Sequence, residues 1–242
     1  MDRMIYLSMS GAKATMQRQD VLSNNLANAS TTGFRAELQA FRAVPLEGSG
    51  ASTRVSILET STGYDQQSGP ISATGRSLDV AMQGNAWLAV QGFDGTEAYT
   101  RAGGLDVNAE GLLVTQNGHT VLGDGGPITL PANARVEVAA DGTVSAAVGQ
   151  GKPQPVGKLK LVTPEAPLQR GDDALFRAPG GELPADPTAR LQAGALEGSN
   201  VSAIENMVAM ISAARQFESQ MKMIQTAEKD EQTAQQLLSL NG

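Results

Sequence analysis

The stretch Ser23 to Phe34 reads SNNLANASTTGF, three asparagines and the hydroxyl run Ser30-Thr31-Thr32 set between the apolar pair Val21-Leu22 and an aromatic anchor. Asparagine, serine and threonine compete for backbone hydrogen bonds, so they weaken a helix interior but cap exposed groups near a helix end. The stretch therefore marks a helix end or a polar seam, and the rest of the chain has to decide which.

Upstream of it, Asp2 to about Asn28 holds one glycine and no proline, with apolar residues at helical separations. Met9, Ala12, Met16, Leu22 and Leu26 form one stripe; Met4, Leu7, Ala14 and Val21 form another. A helix apolar on two sides calls for more than one neighbour. At the far end, Ser199 to about Leu240 lacks glycine and proline altogether. Ser202 with Glu205 matches a capping box, and Asn200 offers an alternative cap one turn earlier. Ile204, Met207, Val208, Ile211, Ala214, Phe217, Met221, Ile224 and Ala227 follow at three- and four-residue intervals, which predicts one amphipathic helix. At about 55 Å it is longer than the N-terminal helix can cover alone.

The centre has another texture. From about Arg76 to Arg177 short alternating runs such as LDVAMQ, WLAVQ, EAYTR, GLLVTQ, RVEVA and KLKLV recur. Asp94-Gly95, Glu110-Gly111, Asn117-Gly118 and Asp141-Gly142 separate them as hairpin signals. No segment suits a crossover helix, so the strands should pair mainly antiparallel.

Composition narrows the chemistry. A net charge of −7 without a Lys/Arg cluster argues against nucleic acid. The absence of cysteine removes disulfides, thiolate metal sites and a cysteine nucleophile. No apolar run has the length of a transmembrane segment, and Lys13 and Arg18 interrupt any signal-peptide core. The single histidine, His119, reads as an exposed turn residue beside Asn117-Gly118 rather than a metal ligand. Asp172-Asp173 reads as a solvated turn, and Gly123 to Gly126 lacks the following helix that a phosphate loop needs. No catalytic, cofactor or metal residues are expected. The competing class, a secreted β-rich carbohydrate-active enzyme with oligomerisation helices, needs two facing carboxylates in a cleft, and the acidic residues here are scattered among turns.

Three motifs then carry a resemblance that spans nearly the whole chain. Ser23-Asn24-Asn25-Leu26-Ala27-Asn28 with Thr31-Thr32-Gly33-Phe34-Arg35 comes first. The central block Leu78-Asp79-Val80-Ala81, Trp87, Tyr99-Thr100-Arg101-Ala102-Gly103 and Leu113-Val114-Thr115 follows. Leu196-Glu197-Gly198-Ser199-Asn200-Val201, with Glu205, Met207, Met210-Ile211 and Arg215-Gln216-Phe217-Glu218, closes the set. The sequence resembles the flagellar basal-body rod and hook family of axial proteins. Its start, Met1-Asp2-Arg3-Met4-Ile5-Tyr6, and its ending, Gln235-Gln236-Leu237-Leu238-Ser239, look most like the proximal-rod branch, with the distal-rod branch the alternative. Two positions depart from the family pattern: Asn85-Ala86-Trp87 where Gly-Phe-Phe is usual, and Asn206 where an acidic residue often stands.

The resemblance implies an α+β fold. Its N- and C-terminal helices would pair in an α-helical, coiled-coil-like domain, with a central, mainly antiparallel β domain on extended connectors. The expected division is 1–35 for the N-terminal helix, 36–75 for an extended connector, 76–178 for the β domain, 179–198 for a returning connector and 199–242 for the C-terminal helix. It further implies a structural subunit of a driveshaft in the periplasm. The subunit would pack against other flagellar axial proteins and copies of itself, and would pass through the flagellar export apparatus without a cleavable signal peptide. Subunit contacts are expected at Asn24, Asn25, Leu26, Asn28, Phe34, Asn200, Val201, Met207, Ile211, Arg215, Phe217, Met221 and Ile224. Because an unpartnered amide costs about 1 to 3 kcal/mol, the asparagine stretch would serve as a register lock between neighbouring helices.

Overall fold

The structure, a computed structural model, describes residues 2–45, 55–149 and 151–239. Residues 46–54 of the expected connector and 240–242 of the expected C-terminal helix lie outside the described residues. Contacts within the chain cluster into two units, one of residues 1–29, 37–65 and 201–242, the other of residues 30–36 and 66–200.

The first unit holds helices α1 (Asp2–Ala27) and α2 (Ala203–Ser239) and strands β1 (Glu37–Pro45) and β2 (Val55–Tyr64). The asparagine stretch ends α1: Asn28 N–H reaches back to the carbonyls of Asn24 and Asn25 at 3.1 and 3.2 Å. The helix then gives way to the Ser30-Thr31-Thr32 run. Ser202 caps α2, its Oγ accepting from Glu205 N at 3.4 Å, and the Glu205 carboxylate in the first turn complements the helix dipole. Helices α1 and α2 pack against each other. The stretch read as a connector is indeed extended, but β1 and β2 also pair antiparallel, with a shift of register between Gln39 and Phe41. Backbone groups without a sheet neighbour would be left to water alone, so two extended runs near each other join into a ladder.

The second unit is β throughout. Its strands in chain order are β3 (Ile71–Ala73), β4 (Val80–Met82), β5 (Trp87–Gln91), β6 (Glu97–Thr100), β7 (Leu105–Val107), β8 (Leu113–Thr115), β9 (Thr120–Gly123) and β10 (Gly126–Pro127). After these come β11 (Ala134–Val138), β12 (Thr143–Val148), β13 (Gln154–Lys158), β14 (Leu161–Val162), β15 (Gln169–Arg170) and β16 (Phe176–Arg177), then β17 (Leu191–Ala193) and β18 (Ala195–Glu197). Among the described residues every strand pair is antiparallel. The main sheet runs β15-β16-β6-β5-β9-β8-β7, with β10 on β9 and β14 on β5, beside the separate sheet β11-β12-β13. Strands β17 and β18 pair with β4 and β3, so the stretch expected to be a returning connector contributes two strands.

The run WLAVQ forms strand β5 as expected, buried on both faces. Leu88 and Val90 enter the main core with Val80, Leu105, Val121 and Leu191. Trp87 and Ala89 point to the opposite face, which is covered as well: Trp87 packs on Phe176 with ring centroids 4.8 Å apart. With both faces buried, the strand has little polar alternation to display.

One expectation is overturned. His119 is not an exposed turn residue but is 4% exposed. Between β8 and β9, Gly118 takes φ +85°, and the turn closes through Thr115 N–H to the His119 carbonyl at 2.8 Å. That turn folds the imidazole inward beneath Phe93, ring centroids 4.4 Å apart. Among the described residues no group of three or more His, Asp or Glu side chains is placed to hold a metal ion, and no helix is long and apolar enough to cross a membrane. Asp173 lies in a turn as expected, and there it pairs with Arg177 at 2.7 Å.

Candidate assembly interface

The two helices of the first unit present unlike faces. Among the buried and half-buried residues of α1, Ile5, Ser8, Ala12, Thr15, Gln19, Leu22 and Leu26 form one series, and among those of α2, Asn206, Met210, Ala213, Phe217, Gln220, Ile224 and Ala227 form another. Both series step by three and four residues. The centre of this seam is small and polar. Ser8, Ala12 and Thr15 are buried on α1, Ala213 and Ala227 on α2, and Gly11 lies so close to Gln220 that a Cβ there would sit 3.0 Å from its amide.

Many large apolar side chains point elsewhere. Tyr6 (71% exposed), Leu7, Met9 and Met16 on α1, and Ile204 (74%), Met207, Val208, Ile211, Met221 and Met223 on α2, all face outward. Isolated exposed apolar residues are ordinary, whereas repeated ones along one helix mark a surface made for contact. Of the residues expected at subunit contacts, Met207, Ile211, Met221 and Arg215 are exposed, and Leu26, Val201, Phe217 and Ile224 are half-buried. Tyr6, Ile204 and Val208 belong with the exposed set. Tyr6 was missed because it lies on neither stripe of α1.

The asparagine stretch divides its work. Asn24 is exposed and lends its carbonyl to Asn28 Nδ2 at 2.9 Å. Asn25 is 5% exposed; its Nδ2 donates to the Glu37 carbonyl at 3.0 Å and its Oδ1 accepts from Glu37 N at 2.8 Å. The amide of Asn25 is therefore satisfied within its own chain, where it holds the start of β1 against the end of α1. The register that it sets is intramolecular. Replacing Asn25 by leucine should strand the backbone N–H and carbonyl of Glu37 and lower the stability of the first unit by about 2 to 4 kcal/mol. Leucine at Asn24 should change it by less than about 0.5 kcal/mol. Amide exchange at Glu37 and the helical signal on heating, compared between the two variants, distinguish the residues; equal effects would contradict the intramolecular role.

Phe34 and Asn200 are likewise engaged within the chain, both in the second unit. Arg170 stacks over the Phe34 ring at 4.5 Å. Asn200 Oδ1 accepts from Ala36 N at 2.7 Å, and its Nδ2 donates to the Gln67 carbonyl at 2.9 Å. Asn200 thus ties the backbone at Ala36 and Gln67 to the segment after β18, and Ser202 caps α2. Gly33, at φ +69°, lies against backbone: a Cβ there would come within 2.3 Å of Ala102 N. Its N–H donates to the Glu197 carbonyl at 2.8 Å.

Beside this junction lies a cluster of charge that sequence reasoning left among ordinary motif residues. Glu197 is 1% exposed between Arg35 (3%) and Arg101 (1%). Polarity alone predicts solvent for all three. Each stands inside one of the three quoted motifs, and that co-occurrence was the available signal.

Three segments of the chain match known protein families. Residues 5–35 match the family described as "Flagella basal body rod protein", residues 81–146 the "Flagellar hook protein FlgE/F/G D1 domain", and residues 192–237 the "Flagellar basal body rod FlgEFG protein C-terminal". The chain belongs to the flagellar basal-body rod protein family. It is 47% identical over 253 aligned residues to the flagellar basal-body rod protein FlgF of Salmonella typhimurium, with all of both chains covered. To FlgF of Caulobacter vibrioides it is 35% identical, again over the full length of both. The rod protein FlgG of Bacillus subtilis is 33% identical, across 94% of this chain and 96% of that one.

Proposed function

We infer that the chain is a structural subunit of the proximal part of the flagellar rod, resembling FlgF, and helps transmit torque from motor to hook. A place in the distal rod, as a FlgG-like subunit, is the alternative. The observation that carries the reading is the distribution in the first unit: the most deeply buried positions of the seam between α1 and α2 are small or polar, while many of the large apolar side chains of both helices face outward. The three- and four-residue steps of that seam suit a coiled-coil-like pair. The outward side chains then serve a second layer of contacts with neighbouring axial subunits. Contacts between different faces of successive subunits extend along a helical path when the rotation does not close a ring. Met207, Met221 and Met223 suit such a role because methionine adapts to differing neighbours. No catalytic step is needed. The subunit would reach the periplasm through the flagellar export apparatus.

Ile204 and Ile211 lie two turns apart on one face of α2, 74% and 56% exposed. Glutamate at both should leave the purified monomer as stable as the parent within about 0.5 kcal/mol per site, while the strain makes no rod and does not swim. Rods of normal length built from the doubly charged subunit would refute this reading, because buried unpaired carboxylates could not be tolerated between subunits. Peptidoglycan turnover by the purified protein would instead favour an enzyme.

A further inference from the structure

Glu197 is buried in the second unit. Its Oε1 takes Arg35 Nη2 at 2.8 Å and the backbone N–H of Gly69 at 3.1 Å. Oε2 takes Arg101 Nη2 at 2.5 Å and Nε at 2.8 Å. Arg101 also donates to the carbonyls of Met82 at 3.0 Å, Gly84 at 2.9 Å and Ala86. Three remote parts of the chain meet here: the exit from the asparagine stretch, the end of β6, and the returning strand β18. Two guanidinium groups share one carboxylate. Without it, two like charges would face each other away from water, and one partner of a buried ion cluster lost alone is strongly destabilising.

We propose that Glu197 is a closure lock for the β unit: Arg35 and Arg101 can be buried together only once the returning strand sets its carboxylate between them. Residues 66–190 therefore reach their native packing only when residues 191–200 are in place. Backbone pairing points the same way. Strand β17 completes β4 and β18 completes β3, Leu191 belongs to the main core, and Gly198 N–H donates to the Pro70 carbonyl at 2.8 Å. A chain supplied from its N-terminus would keep this unit open until its last strand arrived. The proposal concerns folding of the unit and stands whether or not the helices assemble as inferred above.

The test uses the full chain and amide exchange at β5 and β6, far in sequence from position 197. Glu197→Gln keeps the shape of the side chain and removes its charge. Exchange at Ala89, Val90 and Ala98 should accelerate by about 10²- to 10³-fold, together with exchange in β17 and β18. Adding Arg35→Met restores the original charge balance of the site and should return the rates to within about tenfold of the parent. If Glu197→Gln exposes only β17 and β18, Glu197 is a local contact and the lock is refuted. If the double variant is as unprotected as the single, charge balance is not the device, and the proposal falls equally.

Discussion

Gly103→Ala is expected to unfold the β unit at temperatures where the parent is stable. A Cβ at Gly103 would sit 1.7 Å from the Val80 carbonyl oxygen and 2.7 Å from its carbon, far inside contact distance, and both are backbone atoms. Val80 N–H donates to the Gly103 carbonyl at 2.9 Å, so β4 and the segment between β6 and β7 are already joined at that point. On its other side β4 is held by β17 through Leu191, Gln192 and Ala193. Neither segment can retreat without breaking backbone hydrogen bonds. Overpacking of this kind should cost about 3 to 5 kcal/mol, a large share of the roughly 5 to 15 kcal/mol that holds a typical domain together. The melting midpoint of the unit should fall by about 10 °C or more. Gly125→Ala is the control, because a Cβ there meets nothing within 4 Å; its midpoint should stay within about 2 °C of the parent. Coincident melting of both variants with the parent would show that the close approach of Gly103 to Val80 constrains nothing.

Ala213→Pro should have the second large effect, and in the other unit. Ala213 is 1% exposed in the middle of α2. Proline removes the hydrogen bond to the Ala209 carbonyl and drives its ring against that oxygen, at a cost of about 3 kcal/mol or more. The kink also displaces Phe217 and Ile224 from the seam with α1 and re-aims Ile204 and Ile211. The expected result is a loss of helical signal, an unchanged melting midpoint for the β unit, and no rods in a strain carrying the variant. Circular dichroism, differential scanning calorimetry and inspection of purified basal bodies read the three effects separately. A swimming strain with normal rods would show that assembly does not depend on a continuous α2.

The helices were legible because their signals are local. Asp2–Ala27 and Ala203–Ser239 fall within a few residues of the expected ranges, set by the asparagine stretch at one end and by Ser202 and Glu205 at the other. The strands were legible for the same reason, since alternation and turn dipeptides act over a few residues. The connectors were less so. Residues 37–45 and 55–64 carry no strong strand pattern, yet they pair because each is the available neighbour of the other. His119 was misjudged because a turn dipeptide predicts the path of the backbone and not which way the next side chain will face.

Spacings of a few residues and short motifs carried the two terminal helices, the antiparallel character of the centre and the family, but not the four strands within residues 37–64 and 191–197. Which polar groups are spent within the chain follows from contacts between residues remote in sequence. Asn25 and Glu37 are 12 residues apart, Arg101 and Glu197 are 96 apart, and Asn200 meets Ala36 across 164 residues. Nothing in the chemistry of an asparagine, arginine or glutamate names its partner; the topology brings that partner to it. The same holds for the helix faces. A side chain's hydrophobicity reports that it will leave water, but whether the surface receiving it belongs to the same chain depends on which face its neighbours already occupy.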